Sequence, residues 1–205
     1  PDGEYRDALN VEIATSNSSD MGTLQTLKGN TKLDGQMWGD GVCIGSIADD
    51  KNDKLYFMVA GVSIDRIIEY DHTTEAFAVV CVDNHANPPA GFHGPRALNF
   101  NENFLITGIN VIDNMLFWTD NNSEPKRINI RRGIEGTNQN GNIHTSLMIR
   151  DVGHWDSTLG LFIQAPADEF INSGNPIQEE HLTVIKKGPP AAPVLEMIDT
   201  LYPDK

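Results

Sequence analysis

The chain is short of positive charge, aromatic side chains and cysteine. It carries 15 Lys and Arg against 29 Asp and Glu, a formal net charge of -14. A surface this acidic repels nucleic-acid phosphate and anionic membranes, so a role in reading DNA or RNA is excluded from the expectations. A short basic cluster, Lys126, Arg127, Arg131 and Arg132, runs against this trend and reads as a solvated strand edge. Only 7% of the residues are aromatic. The two cysteines, Cys43 and Cys81, are too few for the disulfide scaffold of a small secreted domain. Both sit in apolar, strand-like surroundings and read as buried free thiols, which fits cytosolic synthesis. No segment approaches the ~18 consecutive apolar residues of a membrane-spanning helix. Neither a signal peptide nor a long amphipathic helix is visible. The chain begins at Pro1 rather than Met, so it reads as a piece of something longer.

Catalytic and ligand-binding signatures are lacking too. There is no G-x-G-x-x-G, no phosphate loop ending in Gly-Lys-Ser/Thr and no G-x-S-x-G elbow. Gly39-Asp40-Gly41 is a turn rather than a phosphate cradle. None of the six histidines pairs with another at helical spacing. His154 lies near Asp151 and Asp156, and His181 follows Glu179 and Glu180; both read as solvated polar clusters rather than metal sites. Asp49, Asp50 and Asp53 lack the spacing of a calcium loop and read as a charged hairpin. No cofactor, metal or catalytic residue is therefore expected. Asn17-Ser18-Ser19 and Asn121-Asn122-Ser123 fit the glycosylation acceptor pattern, which is a weak signal.

What the chain does have is strand patterning. Leu9, Val11 and Ile13 alternate with Asn10 and Glu12, as in a half-buried strand, and Gly22 to Lys28 offers another. Strands are expected at 41–47, 54–60, 65–71 and 76–82, joined by short turns rich in Asp, Asn, Gly and Thr. After a loop with three prolines the pattern restarts at 104–111, 115–119, 126–131 and 143–149, with a polar loop over 133–142. Beyond it, 156–162 reads as a strand or a helical turn, 167–171 as a short helix and 181–186 as a strand. The segment 188–193 reads as a stiff linker. The expected organisation is N-terminal strands and loop (1–40), a first four-stranded unit (41–83), a Pro/Gly-rich connection (84–103) and a second four-stranded unit (104–150). An irregular region with a terminal strand (151–187) and a linker leading to a further element (188–205) follow.

The two units echo each other. Leu55-Tyr56-Phe57 followed by Arg66-Ile67 returns, 61 residues later, as Leu116-Phe117-Trp118 followed by Arg127-Ile128. Self-similarity at a fixed spacing points to repeat architecture. The expected fold is all-β, built of antiparallel four-stranded repeat units. They are arranged as in a β-propeller or as an open sandwich, within a larger protein. Two units are too few for a ring, since propellers need about four to eight blades.

Leu116-Phe117-Trp118-Thr119-Asp120 resembles the YWTD signature of one class of β-propellers. Its Thr119 and Asp120 would hydrogen-bond the following turn. The first unit departs from this pattern, with Met58-Val59 in place of Thr-Asp. Three segments together carry a wider resemblance. They are Gly3 to Val11, the phrase Phe117-Trp118-Thr119-Asp120 followed by Glu124-Pro125-Lys126-Arg127-Ile128-Asn129-Ile130, and Glu179 to Lys187. In this order the chain resembles large virion structural proteins of tailed bacteriophages, including crAss-like and marine phages. The resemblance implies a non-enzymatic tail or neck component. It would be made in the host cytoplasm and would assemble as a homo-oligomeric ring with other virion proteins. An acidic surface would suit a wall that DNA slides past without sticking. The alternative is a receptor-recognition module binding host-surface glycan, with Trp38 and Trp155 as candidate contacts. A glycan-cleaving enzyme is a third reading, with no motif in its favour.

Overall fold

The computed structural model describes residues 11–13, 24–26, 41–94, 96–166 and 169–185. The expected linker at 188–193, and Trp38, lie outside these residues. The chain separates into two compact units, Pro1–Gly35 and Gln36–Lys205. In the first, β1 (Val11–Ile13) pairs antiparallel with β2 (Leu24–Thr26).

Among the described residues the second unit is all-β, with two short helical segments. β3 (Val42–Asp49), β4 (Lys54–Ala60), β5 (Ile64–Asp71) and β6 (Ala76–Asn84) form an antiparallel meander in sequence order. The first and third turns have a local cause. Asp53 and Glu75 adopt positive φ, and the Asp71 carboxylate accepts the N–H groups of Thr73 and Thr74. A bulge between Ile67 and Ile68 shifts the register of β5 against β6.

The chain then runs through 85–107 to a second antiparallel sheet of β7 (Gly108–Ile112), β8 (Met115–Thr119) and β9 (Lys126–Asn129). This sheet has three strands, which corrects the expected second four-stranded unit over 104–150. The strand expected at 126–131 stops at Asn129. The Asn129 side chain accepts the Arg132 N–H at 3.0 Å and caps α1 (Ile130–Gly136), which replaces the end of the expected strand and the start of the polar loop expected over 133–142. Ile130 and Gly133 are buried under α1, and Arg131 pairs with Glu135 one turn on at 2.8 Å.

Residues 137–145 then seal the open edge of β6. The Gln139 side chain bonds both the N–H and the C=O of Val79, and Thr145 Oγ1 accepts the Val82 N–H at 2.7 Å. A loop thus replaces the ladder partner that an edge strand lacks.

Two nested ribbons follow. β10 (Ser146–Arg150) pairs with β13 (Phe170–Pro176), and between them β11 (His154–Asp156) pairs with β12 (Leu161–Ile163). The ambiguous segment 156–162 is therefore the turn and flanks of a hairpin. Of the helix expected at 167–171, Phe170 and Ile171 instead open β13. The strand expected at 181–186 is also corrected. Glu179–Leu182 form one helical turn, α2, held by His181 Nδ1 accepting the Gln178 N–H at 2.9 Å. Thr183 alone makes a bridge, to Lys126.

One core serves both sheets. Ile44, Tyr56, Met58, Ala60, Ile67, Val80 and Cys81 meet Leu116, Trp118 and Ile128, with Leu98 and Phe100 of the connection added. Burying a side chain such as Phe100 contributes about 1.5–3 kcal/mol. The sheets meet closely where Ile106 donates to the Ile44 carbonyl at 3.0 Å. A Cβ on Gly45 would sit 2.7 Å from that of Ile106, so only glycine fits there. No sheet among the described residues closes on itself, and no ring of blades forms.

Candidate functional site

The ten echoing positions are split by the fold. Tyr56, Ile67, Leu116, Trp118 and Ile128 join the shared core, while Leu55, Phe57, Arg66 and Phe117 are half-buried and Arg127 is exposed. The echo is not kept in space. Leu116 pairs with Ile128 and Phe117 with Arg127, whereas Leu55 pairs with Tyr70 and Phe57 with Ile68. Tyr56 points into the core while Phe117, its counterpart, does not. Side chains alternate between faces, so a one-residue slip reverses them all. Thr119 and Asp120 do brace the next turn. Asp120 Oδ1 accepts the N–H groups of Asn122 (2.9 Å) and Ser123 (2.7 Å), and Asn121 N–H reaches Thr119 Oγ1 at 3.4 Å.

The basic cluster is not a solvated edge as a whole. Lys126 is buried, and its Nζ donates to the Leu98 carbonyl at 2.8 Å and pairs with Glu179 at 3.2 Å. Arg131 and Arg132 lie on α1 with their guanidinium groups over the Phe170 ring, at 5.5 and 4.3 Å. Cys43 is exposed, against expectation, because β3 leaves that face open. Cys81 is buried, and burial pushes its thiol up to about 12.

The strongest constellation involves residues not singled out by the sequence. Asp65 of β5 and Asp83 of β6 are direct cross-strand partners, and both are fully buried. Like charges directly opposite are unfavourable. The connection offsets this. Asp83 Oδ2 accepts the N–H groups of Ala97 (2.6 Å) and Leu98 (2.8 Å). Asp65 Oδ2 accepts the Phe100 N–H at 3.1 Å and pairs with Arg96, and its Oδ1 takes the Gly61 N–H at 3.2 Å. Burial raises the Asp65 carboxyl above the ordinary range, with Arg96 and these N–H groups pulling the other way. Asp83 Oδ1 has no hydrogen-bond donor among the described residues, and His144 Nδ1 lies 3.6 Å from it. That nitrogen takes the Asn84 N–H at 3.3 Å, while Nε2 faces the Ile177 carbonyl at 2.8 Å. This network places the histidine proton on Nε2.

Two carboxylates with one raised can mark an acid–base pair. Here three of the four oxygens hold backbone or Arg96, and neither group reaches solvent. The pair is a lock on residues 96–100. A sequence signal did exist: Asp65 and Asp83 each interrupt an apolar strand. Their common target could not be read, because Ala97, Leu98 and Phe100 bind through backbone.

Two of the cavities among the described residues carry charged side chains beside apolar ones. One, of about 450 Å³, lies among the β3–β4 and β7–β8 turns and α1. There Glu69 is held by Lys54 Nζ (2.6 Å) and the Tyr56 hydroxyl (2.9 Å). Burial, then Glu69, pushes the Tyr56 phenol far above its ordinary value, so it stays a donor. Each Glu69 oxygen thus holds one donor from the chain itself. The other cavity, of about 350 Å³, has a mixed lining in which two arginines, Arg127 and Arg132, stand beside apolar Met115, Ile128, Leu147 and Leu182. Among the described residues no three His, Cys, Asp or Glu side chains converge as a metal ion requires. No described helix is long and apolar enough to cross a membrane. Comparison with family models, with curated proteins and with solved structures gives no match.

Proposed function

We propose that the chain is a non-enzymatic structural component of a bacteriophage virion, in the tail or neck, assembling with copies of itself and with other virion proteins. The arm formed by residues 151–166 carries this reading. Trp155 is 63% exposed, and Leu161, Phe162 and Ile163 on the facing strand are exposed as well. Contiguous apolar surface of this kind marks a protein contact. An isolated two-stranded hairpin is also marginal in water without a surface to pack on. The buried carboxylates add support: they are spent on holding backbone, as stiffness requires, rather than on a cavity. The likeness of the 117–130 phrase to tailed-phage virion proteins supplies the assembly in which such stiffness is used. The test is peptide mass spectrometry and electron microscopy of purified particles. The chain should appear in several copies about the tail or neck axis. Its absence from intact particles overturns the reading.

Trp155 also favours the second reading, glycan recognition, because it is 63% exposed opposite Phe162. Glycan-array binding that disappears in Trp155→Ala would support that reading instead.

A further inference from the structure

The arm and the arginine-lined cavity are complementary in two respects. The arm is apolar and acidic. Trp155 and Phe162 are direct cross-strand partners on one of its faces. Asp151 precedes this ribbon, while Asp156, next to Trp155 on β11, faces its other side with Leu161. Among the described residues Asp151 accepts the Gly153 N–H through Oδ1, which leaves Oδ2 open. The cavity is apolar and basic. Met115, Ile128, Leu147 and Leu182 line it together with Arg127 and Arg132. Arg127 is exposed and has no ion-pair partner among the described residues, and Arg132 Nε is buried without an acceptor. In a chain of net charge -14, two arginines beside one apolar hollow form a local exception. No arm residue lines the cavity of its own chain, and β10, from which the arm continues, supplies one wall of it.

We propose that the arm of one copy docks in this cavity of a second copy, Trp155 and Phe162 against its apolar side chains and Asp151 toward Arg127 and Arg132. The two patches are different surfaces of one chain, so the contact is head-to-tail. It propagates, and it closes into a ring when the rotation per copy allows. Aromatic anchors and arginine are the side chains that most often dominate such contacts. The inference rests on the structural reading above and names the surface through which copies would assemble.

The test is sedimentation velocity of the full chain over a concentration series. Wild type should associate. The arm variant Trp155→Ser with Phe162→Ser should weaken association by roughly thirtyfold or more. The cavity variant Arg127→Glu with Arg132→Glu should do the same. Mixed in equal amounts, the two variants retain one intact contact and should form a dimer and nothing larger. Thermal melting checks that each variant is folded, and Arg127→Glu alone replaces the double variant if that one is not. A wild-type monomer at every concentration overturns the docking, as does an arm variant that associates like wild type or a mixture that stays monomeric. These results leave the virion reading standing if the chain is found in particles. A chain absent from particles that still associates through the arm separates the two claims the other way.

Discussion

Asp120 ends β8 by accepting two backbone N–H groups and the Ser123 hydroxyl, and it shows how one carboxylate ties stability to pH. Burial works to raise its pKa. The bonds from Ser123 and Asn122, with the charge of Lys126, outweigh that and hold it below the ordinary value. A depressed folded-state pKa means stability present above the unfolded value, about 3.9, and lost as pH falls through the folded one. Asp120→Asn should therefore cost about 1–3 kcal/mol near neutral pH. The gap to wild type should narrow toward about pH 3. Urea midpoints at the two pH values check this, and an unchanged gap would assign the effect to something other than charge. Asp65 has the opposite sign. Its carboxyl is raised by burial, so its contribution favours folding in acid and diminishes as pH rises through its folded value.

Among the elements, α1 is where propensity and packing disagree. A Cβ at Gly133 would lie 2.4 Å from the Val80 carbonyl oxygen and 3.0 Å from Val80 Cγ1. On an exposed helix, Gly→Ala gains about 1 kcal/mol. Here Gly133→Ala should lose about 1–3 kcal/mol, because α1 must lift off β6. Denaturant unfolding of the single variant decides the sign. The same glycine explains why the helix was not legible, since it reads as a breaker in sequence and acts as a contact in space. Asn129, a good N-cap, was the available signal and was outweighed by the strand pattern before it. By contrast, β4 and β8 run over 54–60 and 115–119 as their apolar patterns indicate, and the β3–β6 meander follows from its turn residues. The echo between β4 and β8 was legible as letters but not as structure. Tyr56 and Met58 enter the core from β4, whereas Leu116 and Trp118 enter it from β8, so the matched positions fall on opposite faces. The arginine-lined cavity escaped sequence reading because its walls come from four separated segments.

At the scale of the whole molecule, the lock at Asp65 and Asp83 sets an order of events. The meander of β3 to β6 is made of neighbouring hairpins, which form quickly because their loops are short. Its two carboxylates can leave water only when residues 96–100 bring their N–H groups. Until then the end of the β5–β6 hairpin holds two facing charges. Pulsed hydrogen exchange during refolding should show the turn end of that hairpin, around Tyr70 and Phe77, protected first. The amides of Ala97, Leu98 and Phe100 should follow, together with those at the Asp65 end. Simultaneous protection along the whole hairpin would contradict this. On a ribosome the same dependence becomes a delay: the first sheet emerges complete in sequence but unfinished, and the stretch of chain that completes it is the one that leads into the second.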